Sequence, residues 1–159
     1  MNQFTILQNQ ISQLSQNFKI NNINNQQELK GIKNGYNWRY VGQVVNGLRE
    51  GKEICYWEDG DRYEGDFKND NREGKGIYYY NNGDRYEGDF RNGKPEGKGV
   101  YYYHNGDRYE GDFKNWKSEG KGIAYFNNGD REMGDYYNDI PIGKHVTLTR
   151  NGEVKINNY

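Results

Sequence analysis

From Tyr40 onward the chain alternates apolar and polar residues in short bursts of period two. In Tyr63-Glu64-Gly65-Asp66-Phe67 the Tyr, Gly and Phe fall on one side and the two acids on the other, the pattern of a half-buried strand. The burst returns at Tyr86 to Phe90 and at Tyr109 to Phe113. A second burst, Lys75-Gly76-Ile77-Tyr78-Tyr79-Tyr80, predicts the returning strand, with a loop from Asn69 to Gly74 between the two. Asp59-Gly60, Asn82-Gly83, Asn105-Gly106, Asn128-Gly129 and Asn151-Gly152 then close each unit. That dipeptide signals a type I′ hairpin turn, which needs positive φ at both central residues.

The bursts are copies of one another. Five consecutive blocks of 23 residues align without a gap: Tyr40 to Arg62, Tyr63 to Arg85, Tyr86 to Arg108, Tyr109 to Arg131 and Glu132 to Val154. Glycines recur inside the strands at Gly42, Gly65, Gly88, Gly111 and Gly134, and at Gly76, Gly99 and Gly122. A strand glycine is unfavourable unless something packs on the backbone there, so flat Tyr or Phe rings are expected over them. A lone hairpin is marginal in water, and the repeats must stabilise one another in series. The end blocks diverge, the fifth opening Glu132-Met133 and carrying His145 where the second has Gly76. Trp116, at a loop position held elsewhere by Gly or Asp, is not required by hairpin chemistry, and a contact outside its repeat is expected.

Residues 1–39 form an Asn/Gln-rich N-terminal arm outside the repeat, and 155–159 a C-terminal tail. Phe4, Leu7, Ile11, Leu14 and Phe18 step by 3, 4, 3 and 4, a seam that predicts a short amphipathic helix packing on its own sheet or on another protein.

Composition narrows the picture. The hydrophobic fraction is 32 %, half of it aromatic, too little for a thick globular core. Net charge is −1, and the repeat region interleaves acids with bases, unlike a nucleic-acid groove. A single cysteine, Cys55, leaves no partner for an intrachain disulfide and favours an intracellular compartment. No secretory signal or membrane-spanning run is evident.

No catalytic constellation emerges. His104, His145 and Cys55 stand where other repeats carry ordinary residues and read as incidental substitutions. The ladder Glu64/Asp66, Glu87/Asp89, Glu110/Asp112 could offer oxygens to Ca²⁺, but Lys68, Arg91 and Lys114 nearby point to cross-strand ion pairing. Gly93 to Gly99 is one residue short of a phosphate loop and lacks its Ser or Thr. No enzyme activity, cofactor, metal or small-molecule substrate is expected.

The pattern YxGxFxxGxxxGxG, followed by aromatics and NGD, resembles the MORN (membrane occupation and recognition nexus) repeat over residues 40–154. The resemblance implies an all-β fold, an elongated, twisted single antiparallel sheet of about five tandem hairpins, with the short N-terminal helical arm added. It implies a non-enzymatic scaffold or accessory subunit binding protein segments in a large assembly, cytoskeletal or axonemal or peripheral to a mitochondrial membrane complex. The alternative it carries is a peripheral phospholipid-binding module. If the registers hold, Tyr63, Phe67, Tyr86, Phe90, Tyr101, Tyr103, Tyr109 and Phe113 share one face. That face is the expected partner-binding surface, with Trp116 at its rim and Phe4, Leu7, Ile11 and Leu14 of the arm as a second contact.

Overall fold

The structure, a computed structural model, describes residues 26–33 and 36–159. All of its regular elements are strands: β1 (Gln26–Lys33), β2 (Tyr36–Val45), β3 (Leu48–Trp57), β4 (Arg62–Lys68), β5 (Asn71–Tyr79), β6 (Arg85–Arg91), β7 (Lys94–Tyr102), β8 (Arg108–Lys114), β9 (Lys117–Tyr125), β10 (Arg131–Tyr137), β11 (Ile140–Leu148) and β12 (Val154–Asn158). Each pairs antiparallel with the next in chain order, giving one open sheet of 12 strands. At about 4.8 Å per strand the ribbon is roughly 50 Å long. The five repeats supply β2 to β11. The outer strands come from the segments assigned to the arm and the tail. The expected helix and its residues Phe4, Leu7, Ile11 and Leu14 lie outside the described residues.

The turns differ from the sequence expectation. The type I′ turns lie at the opposite ends of the hairpins, where consecutive positive φ occurs at Asn69 and Asp70 (47° and 66°), Asn92 and Gly93 (50° and 80°) and Asn115 and Trp116 (51° and 72°). Lys68 pairs with Asn71, so the expected six-residue loop is a two-residue turn and Asn71 to Gly74 belong to the strand. The Asn-Gly-Asp segments instead form three-residue loops. Gly83 N–H donates to Tyr80 O (3.1 Å), Tyr80 N–H donates to Asp84 O (3.0 Å), and within Asn81-Asn82-Gly83 positive φ falls on the glycine alone (90°). Such loops join a type I turn to a left-handed residue. The strand pair within each repeat also has a register shift, as between Gly65 and Phe67, opposite a left-handed glycine, here Gly74 (φ 70°). Bulges of this kind bend and twist a sheet.

The ring-over-glycine expectation holds at Gly76, Gly99 and Gly122, whereas at Gly42 the Glu53 side chain takes the place of a ring. A Cβ added at Gly76 would lie 2.5 Å from the Tyr63 ring; Gly99 stands in the same relation to Tyr86, at 2.6 Å, and Gly122 to Tyr109, at 2.4 Å. Each tyrosine then donates its hydroxyl to a carbonyl three residues on, Tyr63 to Asp66 O and Tyr86 to Asp89 O, both at 3.1 Å.

In the fifth repeat His145 and Glu132 exchange the roles of ring and gap. The imidazole covers Gly134 from the neighbouring strand, and its Nε2 lies 2.8 Å from Asp135 O, the carbonyl equivalent to Asp66 O. Its Nδ1 is 3.0 Å from Glu132 Oε1, without the alignment of a hydrogen bond. His145 is thus a structural replacement for the tyrosine ring, not an incidental substitution.

Candidate functional site

The two faces of the sheet have different chemistry. On the first, edge-to-face contacts run unbroken along the ribbon: Tyr40, Phe67, Tyr63, Phe90, Tyr86, Phe113, Tyr109, Tyr136, His145 and Tyr159 follow one another with ring centroids 4.9 to 5.3 Å apart. Such pairs contribute about 0.5–1.5 kcal/mol each beyond area burial. The spine alternates contacts within a repeat and between repeats, so it supplies the serial coupling that isolated hairpins lack. Burial pushes the phenols of Tyr63, Tyr86 and Tyr109 up. It brings Tyr40 to about 12, with the Glu53 carboxylate adding to the effect.

Six of the residues expected to meet a partner are therefore covered by the chain itself. Tyr63, Phe67, Tyr86, Phe90, Tyr109 and Phe113 are between 0 and 6 % exposed. Tyr101 is half-buried, and Tyr103 stays open at 45 %. Trp116 does make a contact outside its repeat, but within the chain. Its indole packs edge-on against Tyr78 (5.1 Å), Tyr80 (6.1 Å) and Phe90 (6.0 Å) of the two preceding repeats.

Two arginines also lie on this face, inside aromatic boxes. The Arg72 guanidinium is 5.1 Å from the Tyr78 ring centre, 5.2 Å from Trp116 and 5.6 Å from Trp57, and donates to Gly93 O at 2.6 Å. Its burial without a carboxylate beside it lowers its pKa, chiefly by desolvation. Arg49, one repeat earlier, lies over Trp38 and Phe67 (4.9 and 5.0 Å) and pairs with Asp70 (3.1 Å).

The loops at the other end of the strands are latched together by aspartates. Asp84 accepts from Tyr101 Oη (2.9 Å) and from His104 N–H (2.8 Å) in the following repeat. Burial alone would raise the pKa of Asp84. These bonds, with those from the His104 ring and Asn82, outweigh it and hold the carboxyl down at about 2. Asp61 plays the same part for Tyr78 and Asn81, and Asp107 for Asn127.

The second face carries three rows at right angles to the strands. Tyr56, Arg62, Tyr79, Arg85, Tyr102, Arg108 and Tyr125 alternate in register, and Arg62, Arg85 and Arg108 lie 4.0 to 4.2 Å over Tyr79, Tyr102 and Tyr125. Beside them run Ile54, Glu64, Ile77, Glu87, Val100, Glu110 and Ile123. The third row pairs Lys75 with Asp89 (2.6 Å), Lys98 with Asp112 (2.7 Å) and Lys121 with Asp135 (3.3 Å). The cross-strand pairing expected for Asp89 and Asp112 exists, but its cations are these lysines and not Lys68 or Lys114. Arg91 pairs with Glu96 instead (3.8 Å).

Between the second and third rows an open groove of about 1150 Å³ crosses the sheet from Lys52 on β3 to Lys144 on β11. Its floor is the backbone at Gly65, Gly76, Gly88, Gly99, Gly111, Gly122 and Gly134. The sequence reading passed over this groove, although the spacing of Lys52, Lys75, Lys98, Lys121 and Lys144 is regular and strand parity places them with Ile77, Val100 and Ile123. Among the described residues no group of three or more His, Cys, Asp or Glu side chains could hold a metal ion, and no helix is long and apolar enough to cross a membrane.

A serial β-hairpin ribbon with an internal aromatic spine and a continuous surface groove defines a repeat protein of the binding class. The MORN repeat model matches the chain at 40–62, 63–85, 86–108 and 109–131, and the chain belongs to that family. The fifth block, 132–154, lies beyond the matched repeats and completes the series as β10 and β11. No curated protein matches the chain. The family is a binding repeat rather than a catalytic one, engaging proteins or phospholipids.

Proposed function

We propose that the chain is a non-enzymatic scaffold that holds an extended or helical segment of a protein partner along the groove of its second face, within a large intracellular assembly. The observation that carries this reading is the alternation of charge along the groove. Lysines and acids succeed one another, with Ile77, Val100 and Ile123 between them. A partner segment with mixed charge and spaced apolar side chains matches such a surface. An anionic lipid surface calls for clustered Lys and Arg. The repeat advance of two strands, about 9.6 Å, is close to the 10.5 Å of seven helical residues, so a helix with one apolar residue per heptad would meet one groove residue per repeat. A cytoskeletal or axonemal setting rests on the family resemblance alone.

The experiment is photo-crosslinking in extracts of the native organism, with a benzophenone side chain at Val100 in the groove or at Phe126 on the opposite face. A discrete protein adduct from position 100, lost when unlabelled protein competes, supports the reading. Salt-sensitive flotation of residues 26–159 with anionic vesicles, and no adduct, would replace it with lipid binding.

A further inference from the structure

In the middle repeats the second face carries its charges in pairs. Arg62, Arg85 and Arg108 each lie 2.9 to 3.6 Å from the glutamate two residues on, Glu64, Glu87 and Glu110. Lys75, Lys98 and Lys121 each meet the aspartate in register on the next strand. The fifth repeat keeps both cations and loses both acids. Met133 follows Arg131 where the middle repeats have glutamate, and the residue in register with Lys144 is Asn158. Arg131 and Lys144 are both exposed.

The same face turns apolar there. Tyr137 and Ile140 take the places of Lys114 and Lys117, and Ile142 that of Glu119. These three side chains are 57, 61 and 43 % exposed, and Met133 is 39 % exposed. Register puts Tyr137 opposite Ile140, Asp135 opposite Ile142, and Met133 opposite Val146, all on the side of the groove. Ile123, Met133, Val146 and Ile156 therefore prolong the second row with no acid between them. Arg131 and Lys144 stand two residues along their strands from Met133 and Val146, about 7 Å to either side of this row. The first repeat also has an apolar turn, at Val45 and Leu48, but its Arg39 keeps a carboxylate, Glu28, at 3.7 Å.

We infer that the second face of the fifth repeat anchors one end of the partner segment, and that this end is an amphipathic helix with carboxylates along both flanks of its apolar stripe. The inference rests on the protein-binding reading above and adds the partner's charge pattern and its anchored end. An exposed apolar patch of this kind marks an interaction site, and here it continues the groove. Side chains at the e and g positions of a heptad project to both sides of the a and d stripe, where Arg131 and Lys144 stand. A second copy of this chain does not fit, since an isologous contact would set cation against cation. An anionic membrane would suit the two cations but would also meet Glu110 and Asp112 on β8 and Asp135 on β10, and such surfaces call for clustered bases.

The probe is a fluorescein-labelled helical peptide of about two heptads with Leu at a and d and Glu at e and g. It is titrated into the whole chain at low salt and followed by fluorescence anisotropy. Saturable binding is expected, with a matched peptide carrying Lys for Glu weaker by about tenfold or more. Met133→Glu and Ile142→Glu, exposed changes that restore the middle-repeat residues, should each weaken binding by about tenfold, with the fold checked by circular dichroism. Leu48→Glu, in the apolar turn of the first repeat, should leave it unchanged. No binding, equal affinity for the two peptides, or affinity unmoved by both fifth-repeat variants would overturn the inference. Binding to phosphatidylserine-containing vesicles in preference to the peptide, or self-association in sedimentation that Met133→Glu abolishes, would also overturn it. The groove reading would survive those outcomes, because the crosslink at position 100 reports on the third repeat.

Discussion

Trp116 lies edge-on to Tyr78, two repeats back along the chain, with ring centroids 5.1 Å apart. The indole reaches that ring from a backbone with φ 72°, a left-handed conformation that disfavours any residue bearing a Cβ by about 1–2 kcal/mol. The contact outweighs the strain. Trp116→Ala should therefore destabilise the fold, by about 2–4 kcal/mol given the indole's partial burial. Trp116→Gly, which loses the same ring but relaxes the backbone, should lie about 1 kcal/mol above it. Urea denaturation of both variants measures this. Equal stability of Trp116→Ala and the parent would mean that the indole faces outward, to a partner.

The exchange between Glu132 and His145 is testable as a coupled pair. His145→Gly uncovers Gly134, and Glu132→Tyr places a second ring where the imidazole already sits, so each change alone should destabilise. Together they recreate the Tyr and Gly pair of the middle repeats. The double variant should recover most of the loss, with a coupling of about 2 kcal/mol in a double-mutant cycle. Additive effects would show that the imidazole is not standing in for the tyrosine.

The latch at Asp84 gives a graded comparison. Asp84→Ala frees Tyr101 Oη and His104 N–H at once, while at the equivalent Asp107 the residue facing it is Ala124, which has no hydroxyl to lose. Asp84→Ala should cost about 1.5–3 kcal/mol and Asp107→Ala less, by thermal unfolding. Because the folded carboxyl of Asp84 is held at about 2 against an ordinary 3.8, its contribution is present above pH 4 and fades as pH falls towards 2. The acid sensitivity of stability in that window should shrink in the Asp84→Ala variant.

At the alkaline end the tyrosines set the sign. Burial raises Tyr40 and Tyr136 from 10.0 to about 12, assisted by Glu53 and Glu132 respectively. Near pH 11 the folded chain thus binds more protons than the unfolded one, and stability falls as pH rises. It should be intact below pH 10 and lost through pH 12. Absorbance at 295 nm should show Tyr40 and Tyr136 ionising only together with loss of β-structure by circular dichroism. A single titration of all tyrosines near pH 10, with the fold intact, would contradict the buried spine.

The sequence by itself determined the repeat, the strands and the division between faces. Period-two alternation in Tyr63 to Phe67 assigns each side chain to a side whatever surrounds it, and a gapless repeat carries that assignment along the ribbon. It also implied the rings above Gly76, Gly99 and Gly122, since a missing Cβ needs a neighbour to cover the backbone. Turn type was misread because Asn-Gly pairs occur at both ends of some hairpins. Which pair sits in a two-residue turn depends on register, and Asp70 and Trp116 reach positive φ there with no glycine to announce it. The outer strands β1 and β12 have no repeat pattern and became strands by pairing with the open edges of the sheet. Only the tertiary structure decided which rings stay available, because burial of Tyr86 depends on Phe90 and Phe113, and Phe113 lies a repeat away. Only the sheet as a whole brought Asp84 to His104 N–H, or Asp70 to the Arg49 guanidinium. Those relations join residues roughly twenty positions apart, a distance that curvature and register span and local propensity does not.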